Sequence, residues 1–129
     1  MEIDFEIHGE TPSKKNSRIN TRSGRSFPNK KYQDWHVLAV GQIVYQKMKM
    51  KNVPFPIDRP IRIKMTFTHG DLRRRDSDNG ASSILDTLKD SGIIADDNWR
   101  IMKELCVLNE FEKNKPSCKI CVEVLENEQ

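Results

Sequence analysis

The chain has 129 residues, of which 36% are hydrophobic and 32% charged, and its formal net charge is +3. This length suits one domain and leaves no room for a separate cofactor domain. No run of about 18 apolar residues occurs, and the acidic, alternating N-terminus differs from a signal peptide, so we expect a cytoplasmic protein without a membrane span.

The first predicted element is a strand over residues 2–8, because apolar and polar side chains alternate there without a break. Gly9 and Pro12 end this strand. The segment 13–31, which we call the basic arm, follows it. The arm has no acidic residue and seven basic ones: Lys14, Lys15, Arg18, Arg22, Arg25, Lys30 and Lys31.

The charge of the chain is therefore divided, since the residues outside the basic arm carry 15 bases and 19 acids. Basic segments are often solvated loops, and they also neutralise phosphates in nucleic-acid-binding proteins. The arm alone favours neither interpretation over the other.

The next predicted element is a helix over residues 34–50, where Val37, Val40, Val44 and Met48 recur at helical spacing. Its Trp35 and Tyr45 could stack on bases, but such residues on an amphipathic helix are more typical of packing.

The remaining elements are two strands, a helix and an ambiguous segment. Residues 61–68 and 119–125 alternate as strands, whereas 99–109 fits a helical stripe and strand alternation equally. A second helix is predicted over 79–90, with Asp78 or Asn79 as its N-cap and Gly92 just past its end.

These elements predict an α+β fold. We expect a single domain over 1–129, built on a mixed β-sheet of about four strands near residues 2–8, 61–68, 100–109 and 119–125. Two α-helices pack against this sheet.

The segment 73–97 has the most informative composition, because it contains six acids: Asp76, Asp78, Asp86, Asp90, Asp96 and Asp97. In an extended segment, Asp76 and Asp78 would point the same way. The predicted helix carries the chain about 16 Å away. The seven residues that follow can span about 23 Å, which is enough to return Asp96 and Asp97 to the first pair.

Clustered carboxylates repel one another without a cation, and an all-oxygen cluster suits Mg²⁺ or Mn²⁺. Each acid alone is better explained locally, as a helix cap, a turn or a surface residue. Together with the preceding Arg73, Arg74 and Arg75, they favour a metal site that hydrolyses phosphodiesters.

Other motifs support no chemistry. Cys118 and Cys121 are three apart in a predicted strand, so they point to opposite faces, and the spacing favours a structural role. The histidines His8, His36 and His69 have no obvious partner and are assigned no role. The chain has no glycine-rich phosphate loop, so we expect no nucleotide cofactor.

Three acidic elements resemble the RusA family of Holliday-junction endodeoxyribonucleases, which are small dimeric resolvases often found in phages and prophages. They are Arg-Arg-Asp-Ser-Asp-Asn at 74–79, Leu-Asp-Thr-Leu at 85–88 and Gly-Ile-Ile-Ala-Asp-Asp at 92–97. Residues 7–18 and 32–35 also look like the family's first strand, basic loop and helix start.

The resemblance implies roles for individual residues. Asp76, Asp78 and Asp97 would be the catalytic metal ligands, with Asp96 as a further ligand and Asn79, Ser82 and Asp86 in support. Ser82 stands where the family commonly has an essential lysine, whose charge would stabilise the transition state. Lys89 lies about 10 Å further along the helix. We therefore expect Lys14 or Lys15 to take the place of the missing lysine.

The resemblance also implies a homodimer that binds four-way DNA junctions and nicks them symmetrically with Mg²⁺, for which Mn²⁺ can substitute. The expected phosphate-binding residues are basic: Lys14, Lys15, Arg18, Arg22, Arg25, Arg73, Arg74 and Arg75. Two alternatives stay open. One is a junction-binding or regulatory protein that has lost catalysis through Ser82, and the other is a nuclease for flaps or other branched DNA.

Overall fold

The computed structural model describes residues 1–13 and 30–125, together with the backbone of 18–20 and 26–28. It is an α+β domain with a mixed four-stranded sheet and two helices, as the sequence predicts. Within these residues no helix is long and apolar enough to cross a membrane.

Four strands form the main sheet in the order β1-β6-β4-β5. Their bounds are Glu2–His8 for β1, Ile61–His69 for β4, Met102–Phe111 for β5 and Ser117–Val124 for β6. β6 pairs antiparallel with both β1 and β4, whereas β5 pairs parallel with β4. The ambiguous segment near 100–109 is therefore a strand, and it lies at one edge of the sheet.

Two short strands lie within the segment predicted only as a basic arm. They are β2 at Arg18–Asn20 and β3 at Ser26–Pro28, and they pair antiparallel with Ile19 opposite Phe27.

The core fills one face of the main sheet, because the alternation in β1, β4 and β6 places one apolar series inward. Ile3, Phe5 and Ile7 of β1 are buried, as predicted from their spacing. On β6, Cys118 is buried and Cys121 half-buried, as expected for positions that face opposite ways.

Helix α1 covers Lys30–Met48 and packs beside β1, where the Gln46 side chain hydrogen-bonds the backbone of Glu6 in both directions. The helix is predicted correctly, but the stripe that predicts it is not the side that is buried. Val37 and Met48 are 71% and 79% exposed. The buried residues are Tyr32, Ala39 and Ile43.

Helix α2 covers Ser77–Asp90 and connects the parallel strands β4 and β5. Gly92 lies just past its end, as predicted, and its φ of +74° suits glycine. The N–H of Ile93 donates to the carbonyl of Leu88, and that of Gly92 to Lys89, which forms a Schellman motif. This turn fixes the direction in which the chain leaves the helix.

Candidate functional site

The first two predicted acids lie at the N-terminus of α2. Asp76 is the N-cap, with extended backbone (φ −91°, ψ 127°), and Asp78 is in the first helical turn. The helix begins before the predicted start, so the two acids do not share the extended segment expected from the sequence. Asp76 caps through its carbonyl, which accepts from the N–H of Asn79, and not through its side chain.

Both carboxylates are exposed, and neither forms a side-chain hydrogen bond or ion pair within the described part of the chain. They also lie where the helix dipole is positive, which stabilises negative charge. Two carboxylates without partners at the surface are free to bind a cation.

Asp96 and Asp97 lie at the other end of α2. The Lys89 ammonium is 3.3 Å from Oδ1 of Asp97 and 3.7 Å from Oδ1 of Asp86. From Asp78 to Lys89 the helix advances about 16 Å along its axis. The two acidic pairs are thus separated by most of the helix.

Buried isoleucines explain why the chain does not run back from α2 toward Asp76. Ile93 and Ile94 are almost fully buried. The N–H of Ile57 donates to the carbonyl of Ile93, and Ile57 and Ile94 form a β-bridge. The segment after α2 is therefore held at the C-terminal end of the helix. Among the described residues no three acidic, histidine or cysteine side chains come together in a group that could hold a metal ion. Within one chain, the convergence of three or four carboxylates expected from loop length is therefore not seen among these residues.

Electrostatic contacts stabilise the charged groups at the C-terminal end of α2. Burial acts to lower the pKa of Lys89, but its hydrogen bond to Asp97 and the nearby Asp86 and Asp96 raise that pKa overall. A side-chain hydrogen bond from Asn98 lowers the pKa of Asp96. Burial, with Asp86 and Asp90, raises the pKa of Tyr32 to about 12. At neutral pH this end of the helix carries several carboxylates and one ammonium.

A cavity of about 390 Å³ lies beside Asp76 at the N-terminal end of α2. Its walls are formed by the segment after β1, Lys31 of α1, the end of β4 with the loop into α2 and the first turn of that helix, and Asn109 of β5. Its lining residues are Glu10, Thr11, Pro12, Ser13, Lys31, Phe67, His69, Arg73, Arg74, Arg75, Asp76, Ser77, Asn79, Gly80 and Asn109.

A hydrogen-bonded network around Glu10 holds these parts together. The Glu10 carboxylate lies 2.8 Å from Nδ1 of His69, 3.4 Å from the guanidinium of Arg75, and accepts from the N–H of Gly70 at 3.2 Å. Arg75 also binds Asp71 at 2.8 Å and thereby lowers the pKa of Asp71 to about 2. The loop that leads to Asp76 is therefore fixed from both sides.

The predicted DNA-binding residues fall into two groups. Lys14, Lys15, Arg22 and Arg25 lie outside the described residues, and Arg18 is in β2, where only the backbone is described. Arg73 and Arg74 are exposed at the cavity. Arg75 is half-buried and bound to two carboxylates.

The predicted supporting residues also divide between the two ends of α2. Asn79 lines the cavity, and Ser82 is exposed one turn after Asp78. Asp86 lies with Lys89 toward the other end.

No role was predicted from the sequence for Glu10, Thr11, His69 or Asn109. The only signal was position, since Glu10 and Thr11 lie just before the basic arm and His69 directly follows a predicted strand.

Free carboxylates beside a cavity that is rimmed by arginines and a lysine are typical of an enzyme that cleaves phosphodiesters. The comparison with known protein families shows which class of nuclease this is. The chain belongs to the RusA endodeoxyribonuclease family, whose model matches residues 9–124. RusA enzymes are hydrolases that resolve Holliday junctions in recombination and generally use a divalent metal. The resemblance to the RusA family is therefore confirmed. A search of curated proteins found no match to this chain.

Proposed function

We propose that this protein is a Mg²⁺-dependent endodeoxyribonuclease that nicks four-way DNA junctions symmetrically. The observation that carries the proposal is the pair of exposed carboxylates at the start of α2, Asp76 and Asp78, of which Asp76 lines a cavity with arginines at its rim. Because the substrate is DNA, we place the protein in the cytoplasm, as the sequence predicts.

The residues present fit a hard divalent cation, since Asp76 and Asp78 offer only oxygen ligands and have no competing partner in the described structure. When bound, Mg²⁺ would supply an activated water and stabilise charge on the phosphodiester. Two carboxylates from one chain leave the predicted set incomplete, because Asp97 is at the other end of α2.

A second copy of the chain completes the set if two β5 strands pair antiparallel across a two-fold axis. Asn109, near the end of β5, donates a hydrogen bond to Ser77, so the Asp76 end of α2 lies near the C-terminal end of this strand. Asn98 accepts from the N–H of Met102, so Asp97 lies near the N-terminal end. Antiparallel pairing would bring the Asp97 end of one copy to the Asp76 end of the other.

Strand β5 is suited to such pairing. It is a ten-residue edge strand, and its outer side has no partner in the described chain. Leu105, Leu108 and Phe111 are 39%, 42% and 51% exposed. A long edge strand with exposed apolar side chains is a template for pairing with another chain, and an isologous interface uses the same surface twice.

Cysteine cross-linking tests this dimer. A two-fold axis that passes near the middle of β5 places the two exposed Cys106 thiols close together. Burial raises the pKa of Cys118 to about 12 and, with hydrogen bonding to Asp4, that of Cys121 to about 11, so neither competes for a thiol reagent at pH 8. We expect a short bis-maleimide to join wild-type chains but not Cys106→Ser chains. Absence of the joined wild-type product would exclude this pairing.

The other residues have positional roles in this proposal. Arg73 and Arg74 bind the DNA backbone, while Arg75 holds the loop before Asp76 through Asp71 and Glu10. Ser13 lines the same cavity as Asp76, so Lys14 or Lys15 remains our candidate for the lysine that Ser82 replaces. If Lys14→Ala and Lys15→Ala both cut at the full rate, that assignment is wrong.

A labelled synthetic four-way junction with Mg²⁺ or Mn²⁺ tests the activity. We expect paired symmetric nicks, which Asp76→Asn should abolish while leaving junction binding intact. Cutting of flaps in preference to junctions would indicate a nuclease for other branched DNA.

Ser82 supports a second candidate, a junction-binding protein with weakened catalysis. It stands one turn after Asp78 and is exposed, and the one cation within the described α2, Lys89, is paired with Asp97. A retarded but uncut junction, with cutting gained on Ser82→Lys, would identify this case.

A further inference from the structure

Trp99 is the most exposed aromatic residue in the described part of the chain, and it lies in the short loop between α2 and β5. It is 73% exposed, and it belongs neither to the buried core nor to the apolar residues packed against that core. Tryptophan is highly buried on average, because its large ring gains much from leaving water. Here the ring adds little to the packing of the free protein, so its flat face is available to a ligand.

Hydrogen bonds of Asn98 fix the loop that carries Trp99. The side-chain Oδ1 of Asn98 accepts from the N–H groups of Arg100 at 2.9 Å and Ile101 at 3.4 Å. The Nδ2 of Asn98 donates to the carboxylate of Asp96 at 2.9 Å. Its backbone carbonyl accepts from the N–H of Ile101 at 3.1 Å. The indole is thus held on a hydrogen-bonded turn before any ligand binds, which lowers the entropy cost of binding.

Two basic side chains flank the Trp99 ring. The Lys103 ammonium lies 5.0 Å and the Arg100 guanidinium 5.7 Å from the centroid of the ring. Lys103 is the extra residue of a β-bulge at the start of β5, where the register with β4 shifts, and such bulges change the direction in which a side chain points. Both basic residues are exposed, and neither forms an ion pair with a carboxylate of the described chain.

An exposed aromatic ring beside unpaired cations is the combination with which proteins hold unstacked DNA, because the base stacks on the ring and the phosphates lie at the cations. The position of the loop also favours DNA as the ligand. Trp99 follows Asp97 by two residues, so their Cα atoms are at most about 7 Å apart. A base on this ring would therefore lie close to the metal site to which we assign Asp97.

We propose that Trp99 stacks on the open face of a base pair at the branch point of the junction, while Arg100 and Lys103 bind the flanking phosphates. In a continuous duplex every base pair is stacked on both sides, whereas a pair at an open branch point has one free face. Because every base has a flat face, this contact selects an unstacked end of DNA and no particular sequence. The inference rests on the proposed nuclease function, since it needs a bound junction.

Intrinsic fluorescence tests the stacking, because the chain has two tryptophans and a base stacked on an indole quenches its emission. Trp35→Phe leaves Trp99 as the only tryptophan, and Trp99→Phe leaves Trp35, which packs against the core. Ca²⁺ replaces Mg²⁺ to prevent cutting. A saturating four-way junction should quench the Trp35→Phe protein about twofold or more, whereas a duplex with the same arm sequence should not. Trp99→Phe should respond to neither. Equal quenching by duplex and junction, or no quenching by a bound junction, would overturn the proposal.

Trp99→Ala tests how much the stacked base contributes to affinity. It should weaken junction binding about tenfold or more and duplex binding less than about twofold, as expected for the loss of one stacked base. Trp99→Phe keeps a flat ring and should recover most of this loss. Met48→Ala is the matched control, because Met48 is 79% exposed but lies on α1. Full junction affinity in Trp99→Ala, or the same loss in Met48→Ala, would refute the role of the ring.

The two cations are tested by the salt dependence of junction binding. Arg100→Gln and Lys103→Gln should each reduce the slope of log K against log salt concentration by about 1, and an unchanged slope in both would exclude the phosphate contacts. If Trp99→Ala abolished the Cys106 cross-link between chains, the ring would belong to the dimer interface and the proposal would be wrong. The proposed function fails separately: protein that binds and is quenched but never cuts retains the stacking contact and loses the nuclease activity.

Discussion

A heterodimer of Asp76→Asn and Asp97→Asn chains distinguishes a site shared between subunits from a site within one chain. In a shared site, Asp76 and Asp78 of one copy act with Asp97 of the other. The two substitutions then fall in the same site, and the second site is intact. If each chain forms a complete site by itself, each substitution inactivates the site of the chain that carries it. The heterodimer then has no active site.

The structure sets the expected magnitude. The helix separates the backbone of Asp78 from that of Lys89, the ion-pair partner of Asp97, by about 16 Å along its axis, and among the described residues no three metal-binding side chains form a group. A heterodimer with one of two sites intact should nick at about half the wild-type rate per dimer. It should make single nicks only, because paired cuts need both sites.

The assay uses chains with two different tags, co-expressed and purified through both tags in turn. On a supercoiled plasmid that extrudes a cruciform, wild-type protein should give linear product and the heterodimer nicked circles. The control heterodimer joins Asp76→Asn with Asp78→Asn, which damages both shared sites and should be inactive. If the Asp76→Asn and Asp97→Asn heterodimer is as inactive as this control, the shared site is refuted.

Three further predictions concern the loop and helix that position the acids. Because Lys14 or Lys15 supplies the cation in our proposal, Ser82→Lys should leave the nicking rate within about twofold of wild type in single turnover, whereas a gain of about tenfold or more would indicate the weakened junction-binding protein. Asp71 has a pKa of about 2 against 3.8 for the free group, so its stabilisation is present above about pH 4 and is lost as the pH falls toward 2. Urea unfolding should show this loss in wild type and not in Asp71→Asn. Gly92→Ala should lower the free energy of unfolding by about 1 kcal/mol, since φ there is +74°. An unchanged urea midpoint would contradict this reasoning.

The strands with one buried face were predictable from the sequence, and the edge strand was not. In β1 and β6 the buried and exposed positions alternate, which is the pattern that the sequence shows. In β5 nearly all residues are exposed, so burial imposes no alternation. An edge strand of this kind has the sequence of neither a core strand nor a helix.

Helix α1 shows the limit of periodicity as a guide to the core. Apolar residues lie on two of its sides, and the regular series of Val37, Val44 and Met48 is the exposed one. The buried side is marked by Tyr32, Ala39 and Ile43, with half-buried Trp35 between them. Spacing identifies a helix but does not tell which of two apolar sides meets the sheet.

The site residues were predictable as a set, whereas their arrangement was not. The acids, the arginines and Ser82 were found from composition and from the spacing that resembles the RusA family. The length of the segment after α2 limits how far this segment can extend, but it does not show in which direction the segment runs. Burial of Ile93 and Ile94 determines that direction and holds Asp96 and Asp97 beside Lys89.

The topology explains why a single chain does not gather these acids. Strands β4 and β5 are parallel, so α2 must carry the chain back along the full length of the sheet before β5 begins. Residues in the loop before α2 and in the loop after it therefore lie at opposite ends of the sheet, about 21 Å apart for this 14-residue helix. If both Asp76 and Asp97 bind one metal, the second ligand group must come from another copy. Strand β5 is the element that can supply it, because antiparallel pairing of this edge reverses the sheet direction and brings the two loops together.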